Sequence, residues 1–311
     1  MNKFLALFRK AGGIGLIRQY RKSHVLLFAL LQMLCHGFSK KSLEIVRLAV
    51  SNKVVGKLRR KYRKHILGFQ YSPEKGENSK KVWVCWLQGM ENAPALVQAC
   101  YASLQKHMSD REIVVLTEEN YRNHVTFPEH VQQKIDTGII TRTHFSDLLR
   151  LELLCTYGGT WIDATVLLTG EVPEYMLDSD LFVFQNLKPG LDGHATAISS
   201  WFMTGCTGNP IIQLTRHLLY CYWETHNALI DYFLIHDFFQ LAIETHPDVW
   251  HKVVPFSNAT PHILLLRLFE PYDEPTWNIV QNMTSIHKLS YKFKNEETLK
   301  EGTYYKALFP Q

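Results

Sequence analysis

Residues His144–Thr169 read HFSDLLRLELLCTYGGTWIDATVLLT, and this stretch divides into a helix, a glycine break and a buried strand. Ser146 is a suitable helix N-cap, with a side-chain oxygen able to take an orphan backbone N–H. Leu148, Leu151, Leu154 and Cys155 recur at helical spacing. Gly158 and Gly159 end the helix where a left-handed residue is needed. Thr160, Trp161 and Ile162 are strand formers, and Val166, Leu167 and Leu168 resume the apolar run. Between these runs sits one carboxylate, Asp163. Burying an ionised aspartate there is costly unless a cation or several donors hold it. Asp147 and Arg150 lie three residues apart on one helix face. Each of these residues also has an ordinary structural reading: a surface ion pair worth under ~1 kcal/mol, or an aspartate that opens a turn. Their occurrence in this order, where everything around them is locally consistent, points to an active site.

The pattern S-D-x-x-R-x-x-x-L-x-x-x-G-G-x-W-x-D-x-T resembles the core of glycosyltransferase family 32 and its bacterial capsular polysaccharide synthesis branch. The resemblance covers roughly Lys81 to Lys292 and implies a GT-A-like, Rossmann-type mixed sheet flanked by helices. It implies that Asp147 and Arg150 grip the donor sugar, and that Asp163 begins an Asp-x-Asp motif holding a divalent metal on a nucleotide diphosphate. Here the motif reads Asp163-Ala164-Thr165, so its second carboxylate is missing. The segment Ser285–Lys292, SIHKLSYK, resembles the family's late motif. His287 would there join Asp163 and Thr165 in the metal shell, while Lys288 or Lys292 would touch the diphosphate. One aspartate and one histidine suffice for Mg²⁺ if phosphates and waters complete the shell, and the histidine favours Mn²⁺.

Working outward, Gln70–Lys80 is polar and turn-rich and marks a boundary between residues 1–70 and residues 71–311. Residues 81–89, KVWVCWLQG, read as a first buried strand. Pro94 opens a helix from Ala95 to His107. Glu112–Thr117 reads as a second strand, with a helix near Glu118–His124. This alternation predicts a doubly wound α/β sheet, in which ligands bind beyond the carboxyl ends of the strands. Trp86, Gln88 and Gly89 at the first strand end resemble the family's opening motif and are candidates for nucleotide contact. Trp83 is an alternative, and either tryptophan could instead be core. Residues 180–185 and 198–206 read as further strands. Helices are predicted from Pro210 to Glu224 and from Leu229 to Glu244. An acid on the second of these reaches the donor or the reacting face in related enzymes. That role falls to Asp231, with Asp237 or His236 behind it. The competing reading is an acid that complements the helix dipole. Thr276–Met283 reads as a strand, and the tail from Tyr304 is uninformative.

The first 70 residues hold nine Lys and seven Arg against a single acid, Glu44, for a net +15, and the remainder carries −10. Helix-like stretches there are Leu5–Phe8, Val25–Leu34 and Leu43–Val50, and Lys57–Lys64 is the densest basic patch. Val25–Leu34 falls short of the ~20 residues needed to span a bilayer, and no signal-peptide cleavage site follows it. Basic helices of this kind lie on anionic membrane surfaces. Competing readings are an extension packed on the main domain, or an electrostatic nucleic-acid contact, for which no recognised module is present. The six cysteines form no C-x-x-C pair and read as reduced, which suits a cytoplasmic protein held at the inner face of the cell membrane.

No glycine-rich phosphate loop and no G-x-S-x-G is present. The expected activity is metal-assisted sugar transfer from a nucleotide-diphosphate sugar to a glycan acceptor, lipid-linked if the basic arm holds the membrane. The resemblance implies retention of anomeric configuration. Two alternatives are a membrane-bound scaffold derived from a transferase and a metal-dependent hydrolase of nucleotide sugars.

Overall fold

The computed structural model describes residues 13–72, 79–187 and 197–309; the expected helical stretch Leu5–Phe8 lies outside them. Three helices come first among the described residues: α1 (Gly13–Lys22), α2 (Leu26–His36) and α3 (Lys40–Leu67). There follow β1 (Lys81–Cys85), α4 (Ala95–His107), β2 (Glu112–Leu116), α5 (Glu129–Asp136), α6 (Arg142–Tyr157), β3 (Gly159–Ile162) and β4 (Val166–Leu168). The second half contains β5 (Leu181–Gln185), β6 (Ile198–Gly205), α7 (Pro210–Thr225), α8 (Leu234–Thr245), α9 (Glu274–Met283) and β7 (Ile286–Lys288).

Five strands form one sheet in the order β2-β1-β3-β6-β5. β1 runs parallel to β2 and β3, while β6 runs antiparallel to β3 and β5. The expected mixed α/β sheet flanked by helices is therefore present. Because side chains alternate across a strand, each strand feeds two cores. Trp83, Trp161 and Met203 face a core shared with α3, α6, α7 and α8. Val82, Val84, Ile162 and Phe202 face a second core, shared with α4 and α9. Tyr304, Tyr305 and Phe309 close that second core, so the tail that was silent in sequence is a structural element.

The glycine pair earns its place on two counts. Gly158 and Gly159 have φ of 67° and 94°, a region that disfavours side chains. A Cβ on Gly159 would also lie 2.4 Å from the Lys81 carbonyl oxygen. The turn thus sets β3 directly against β1.

Several expectations are corrected. Helix α6 starts one turn early, capped by the Thr141 hydroxyl, which accepts from the His144 N–H. Ser146 lies within the helix, its Oγ donating to the Thr143 carbonyl at 2.7 Å. Only a short 3-10 turn, Tyr121–Asn123, occupies the region expected to be helical after β2. Thr276–Met283 is helical rather than extended, because Asp273 accepts from the Thr276 N–H and Pro275 sits in the first turn. Helix α8 begins at Leu234, not Leu229, because Asp231 captures the Phe233 N–H at 2.9 Å and makes a turn.

The basic arm has a hidden apolar side. Along α3, Val46, Val50, Val54, Leu58 and Tyr62 recur at intervals of four residues and are buried. Tyr62 meets Phe238 of α8 edge-on, with ring centroids 5.1 Å apart. The stripe belongs to the same core as β1, β3 and α6. Among the described residues no helix is long and apolar enough to cross a membrane.

Candidate functional site

A cleft of 680 Å³ opens at the carboxyl ends of β1 and β3, where α/β sheets place their ligands and within the usual size range for such sites. The turn that follows β3 carries Asp163 into it. The backbone of Asp163 is fixed by its N–H, which donates to the Trp201 carbonyl at 2.8 Å. Its side chain is surrounded by donors. Lys288 Nζ lies 3.0 Å from Oδ2, and Trp161 Nε1 donates to Oδ1 at 3.0 Å. Arg150 Nη2 is 3.7 Å from Oδ1. Burial works to raise the Asp163 pKa, but the Lys288 ammonium, then Arg150 and the Trp161 N–H, outweigh it and hold the carboxyl below its ordinary value.

Arg150 joins Asp163 to Asp147. Its Nη2 lies 3.2 Å from Asp147 Oδ1, its Nη1 donates to the Ser200 carbonyl, and its Nε donates to the Ser146 carbonyl at 3.1 Å. The guanidinium also stacks over Trp161, 4.9 Å from the ring centroid. Asp147 has a second neighbour in His144 Nδ1, at 3.3 Å. A buried guanidinium held by a carboxylate, two carbonyls and a ring face has a fixed orientation. Asp147 and Arg150 both line the cleft.

The other predicted site residues divide. Trp86, Gln88, Thr165, Lys288 and Lys292 line the cleft, and Trp86 meets Tyr291 edge-on at 5.1 Å. Trp83 does not; it is core, its Nε1 donating to the Gly158 carbonyl at 2.9 Å. Gly89 is buried in the turn behind Gln88, its N–H donating to the Trp86 carbonyl, and it is absent from the cleft wall. Asp231 is absent as well; it lines a neighbouring groove. Of its two backups, His236 reaches the cleft and Asp237 is buried away from it. Burial lowers the His236 pKa to about 4.

His287 is the clearest displacement. It pairs with Leu167, while Lys288 pairs with Val166 in the antiparallel β4–β7 ladder. Alternation sends the two neighbouring side chains to opposite faces. Lys288 enters the cleft, and His287 is 0% exposed beside Trp277, with Nε2 3.0 Å from Thr169 Oγ1. Burial lowers its pKa to about 4.

These positions bear on the expected divalent ion. The donor set of Asp163, Thr165 and His287 does not assemble. His287 faces the second core, Asp163 has both oxygens engaged, and Thr165 Oγ1 accepts from Lys288 Nζ at 2.6 Å. An ammonium stands where the shell would need a cation, and the residues present do not fit a resident metal. Among the described residues, metal-capable side chains gather in a group of three only at His65, His217 and Cys221, on α3 and α7 and outside the cleft.

Residues that sequence reasoning missed also line the cleft, among them Arg142, Ser199, Ser200, Trp201, Phe233 and Tyr291, together with Tyr232. Tyr291 lies inside the SIHKLSYK segment and was within reach. Ser199–Trp201 carried no signal, because Ser200 and Trp201 serve through backbone carbonyls, which accept from Arg150 and from the Asp163 N–H.

Comparison with known proteins finds a family match and glycosyltransferase relatives. The model of a family described as capsular polysaccharide synthesis protein matches residues 36–308. A curated relative, "Glycosyltransferase afumC" of Aspergillus fumigatus, is 33% identical over 107 residues, 32% of this chain and 27% of that protein. "O-glycosyltransferase braB" of Annulohypoxylon truncatum is 28% identical over 166 residues, 47% of this chain and 38% of that protein. The chain thus matches well under half the length of these relatives. A solved structure, "PaToxG Glycosyltransferase", superimposes over 85% of this chain and 97% of its own at 14% identity, with a TM-score of 0.39.

Proposed function

The chain belongs to the capsular polysaccharide synthesis protein family, and from that premise we propose that it transfers a sugar from a nucleotide-diphosphate sugar to a hydroxyl of a glycan acceptor. The observation that carries this reading is the continuous network Asp147–Arg150–Asp163–Lys288 along one cleft. In the proposed complex Trp86 stacks on the base and Asp147 with Arg150 positions the sugar hydroxyls. Lys288 and Lys292 meet the diphosphate. Breaking the bond from the anomeric carbon leaves charge on that diphosphate, and a fixed ammonium aimed at it stabilises the transition state. No step is routed through a metal, because the donor set does not form a shell.

The stereochemical course we assign is retention. Both predicted carboxylates in the cleft, Asp147 and Asp163, are engaged by cations. His236, with its pKa near 4, is a weak proton acceptor. The departing diphosphate oxygen is then the base that takes the acceptor's proton, on the face it leaves.

We place this reaction at an anionic membrane surface, but with a different contact from the one charge alone suggests. The dense basic patch is partly occupied: Lys57 donates to the Ser23 carbonyl at 3.1 Å, Arg59 pairs with Glu244 at 2.7 Å, and Lys61 meets His226 at 2.7 Å. On α2, however, Leu27, Leu30, Leu31 and Leu34 form one exposed helical stripe, just before Lys40 and Lys41. An apolar stripe beside basic residues suits an interfacial helix.

The test is a nucleotide-sugar screen by thermal shift, with and without a chelator. One donor is expected to raise the melting temperature, with a shift that survives chelation, and Asp163→Ala is expected to remove it. No shift with any donor would overturn the reading. A shift that needs Mn²⁺ or Mg²⁺ would return the metal to the site.

A further inference from the structure

Away from the cleft, the end of the basic arm meets α7 through three metal-ligating side chains. His217 and Cys221 sit four residues apart on one face of α7, and His65 lies in the last turn of α3. One donor atom from each lies within 4.8 Å of the other two. Cys221 Sγ is 3.5 Å from His217 Nε2 and 3.9 Å from Nδ1, and the two imidazole centroids are 6.1 Å apart. Cys221 is a free thiol. His65 is exposed and the other two are half-buried, so the cluster is reachable from solvent. Phe69, stacked on the His217 ring at 4.5 Å, limits how far that imidazole can swing away. Phe69 is in turn met edge-on by Tyr71, whose hydroxyl is 2.6 Å from His246 Nε2.

We infer that His65, His217 and Cys221 bind a zinc ion that staples the end of α3 to α7, apart from the cleft. Zn²⁺ takes thiolate and imidazole donors at about 2.0–2.3 Å in a tetrahedral shell, which spaces neighbouring donors roughly 3.3–3.6 Å apart. The Cys221–His217 separation already has that value. The remaining gap closes at His65, whose ring is exposed. Histidine χ2 is a soft torsion, so both rings turn to aim a nitrogen without moving the backbone. Donor chemistry selects the ion: one thiolate and two imidazoles suit a borderline-soft cation, whereas Mg²⁺ and Ca²⁺ take oxygen. The competing reading, a weak thiol–imidazole contact within one helix, accounts for His217 and Cys221. It gives no reason for His65 to bring a third donor from another helix. Water completes the fourth position. On binding, the Cys221 thiol gives its proton to solvent and the thiolate sulfur donates its electron pair to the metal. The consequence is mechanical. Helix α7 packs on α6, which carries Asp147 and Arg150, so the staple fixes the N-terminal helices to the layer that builds the cleft without touching the donor.

The experiment titrates the untagged full chain, stripped by chelator and kept reduced, with Zn²⁺ and with Co²⁺ as its spectroscopic substitute. One Zn²⁺ per chain should bind and raise the melting temperature by a few degrees, while Mg²⁺ should not. Co²⁺ should give the visible bands of a tetrahedral ion and a thiolate-to-metal charge-transfer band in the near ultraviolet. His65→Ala, at an exposed position, should weaken Zn²⁺ binding at least about a hundredfold, because loss even of a hydrogen-bond partner behind a ligand costs about 10–100-fold. Cys221→Ser should abolish the charge-transfer band. Cys35→Ser and His251→Ala, both at exposed positions, should change neither readout. Amide exchange in the last turn of α3 should slow when Zn²⁺ is added to the wild-type chain and not when it is added to His65→Ala. Absence of a zinc-dependent shift in the wild-type chain would overturn the inference. So would a charge-transfer band that survives Cys221→Ser, or one lost in Cys35→Ser, which would mean an adventitious surface thiol. Because His65 and Cys35 stand in solvent, their variants decide the matter even if Cys221→Ser fails to fold. Donor thermal shifts with and without Zn²⁺ should be equal, and a donor shift that depends on Zn²⁺ would place the ion in the cleft and overturn the staple.

Discussion

The cleft and the N-terminal helical face use opposite means to hold a ligand. In the cleft, charge is concentrated and locked: Arg150 is bonded in four directions, and Asp163 is gripped by Lys288, Trp161 and Arg150. On the helical face, the apolar side chains of Leu27, Leu30, Leu31 and Leu34 are about half exposed or more among the described residues. The first arrangement spends folding energy on preorganisation, so its variants should fail sharply. The second costs little in the isolated protein and gains only when a partner arrives, so its variants should be silent until a surface is supplied.

Four measurements would break or sharpen that contrast. The largest effect is expected from Arg150→Ala, which leaves the buried Asp147 without its guanidinium and Asp163 with Lys288 as its remaining cation. Breaking a buried pair in this way costs about 3–5 kcal/mol, to be read from urea unfolding. An unchanged midpoint would mean that the network is not preorganised. Next, Lys288→Ala is expected to lower sugar transfer by about 10²–10³-fold, as for loss of one transition-state donor, with circular dichroism unaltered. Activity within a few-fold of wild type would remove Lys288 from the role given to it.

The third measurement is stability against pH. His287 and His236 both have folded pKa values lowered by burial to about 4, against 6.5 in the unfolded chain. The unfolded state therefore takes up protons first as pH falls. Their stabilising contribution is complete above pH 6.5 and is lost progressively towards pH 4, up to about 3 kcal/mol for each. His287→Phe should flatten part of that slope while leaving donor binding unchanged, and an undiminished slope would show that His287 is not buried as a neutral ring. Asp163 acts lower: its pKa is depressed, so its contribution stays complete above the ordinary carboxylate range and fades only below it. The smallest effect concerns the helical face. Leu30→Glu with Leu31→Glu should leave unfolding unchanged yet weaken co-sedimentation with anionic vesicles by roughly tenfold or more, given about 1.5–3 kcal/mol per buried leucine. Equal sedimentation would remove α2 as the membrane contact.

Much of this was legible from local signals. The glycine pair, the strand ends and the Asp147/Arg150 spacing are short-range patterns, and the structure brings Asp147, Arg150 and the end of β1 to one cleft beside Asp163. What was not legible depends on register and on competing signals. His287 and Lys288 are adjacent, and no local pattern says which of the two faces the cleft; the ladder with β4 decides it. The buried stripe Val46–Tyr62 was obscured by the sixteen basic residues of the arm, although its four-residue spacing was visible. In Thr276–Met283 the β-branched and aromatic residues outweighed the Asp273 and Pro275 start signals, which were the better guide. Tyr232 and Phe233 were read as the start of an apolar helix, and only the turn made by Asp231 exposes them as the wall between two cavities.

The short β4–β7 ladder has one more implication. It ties the Asp163–Thr165 turn to a lysine more than 120 positions later, and Tyr304, Tyr305 and Phe309 clamp the end of the chain beyond it. The five-stranded sheet finishes at Gly205 and owes this region no strand. A version cropped ahead of Ile286 would therefore keep every strand of that sheet while surrendering the ammonium that faces Asp163. The segment from Ile286 to Phe309 is thus one jaw of a vice whose other jaw is the rest of the molecule, and removing it would also open the second core.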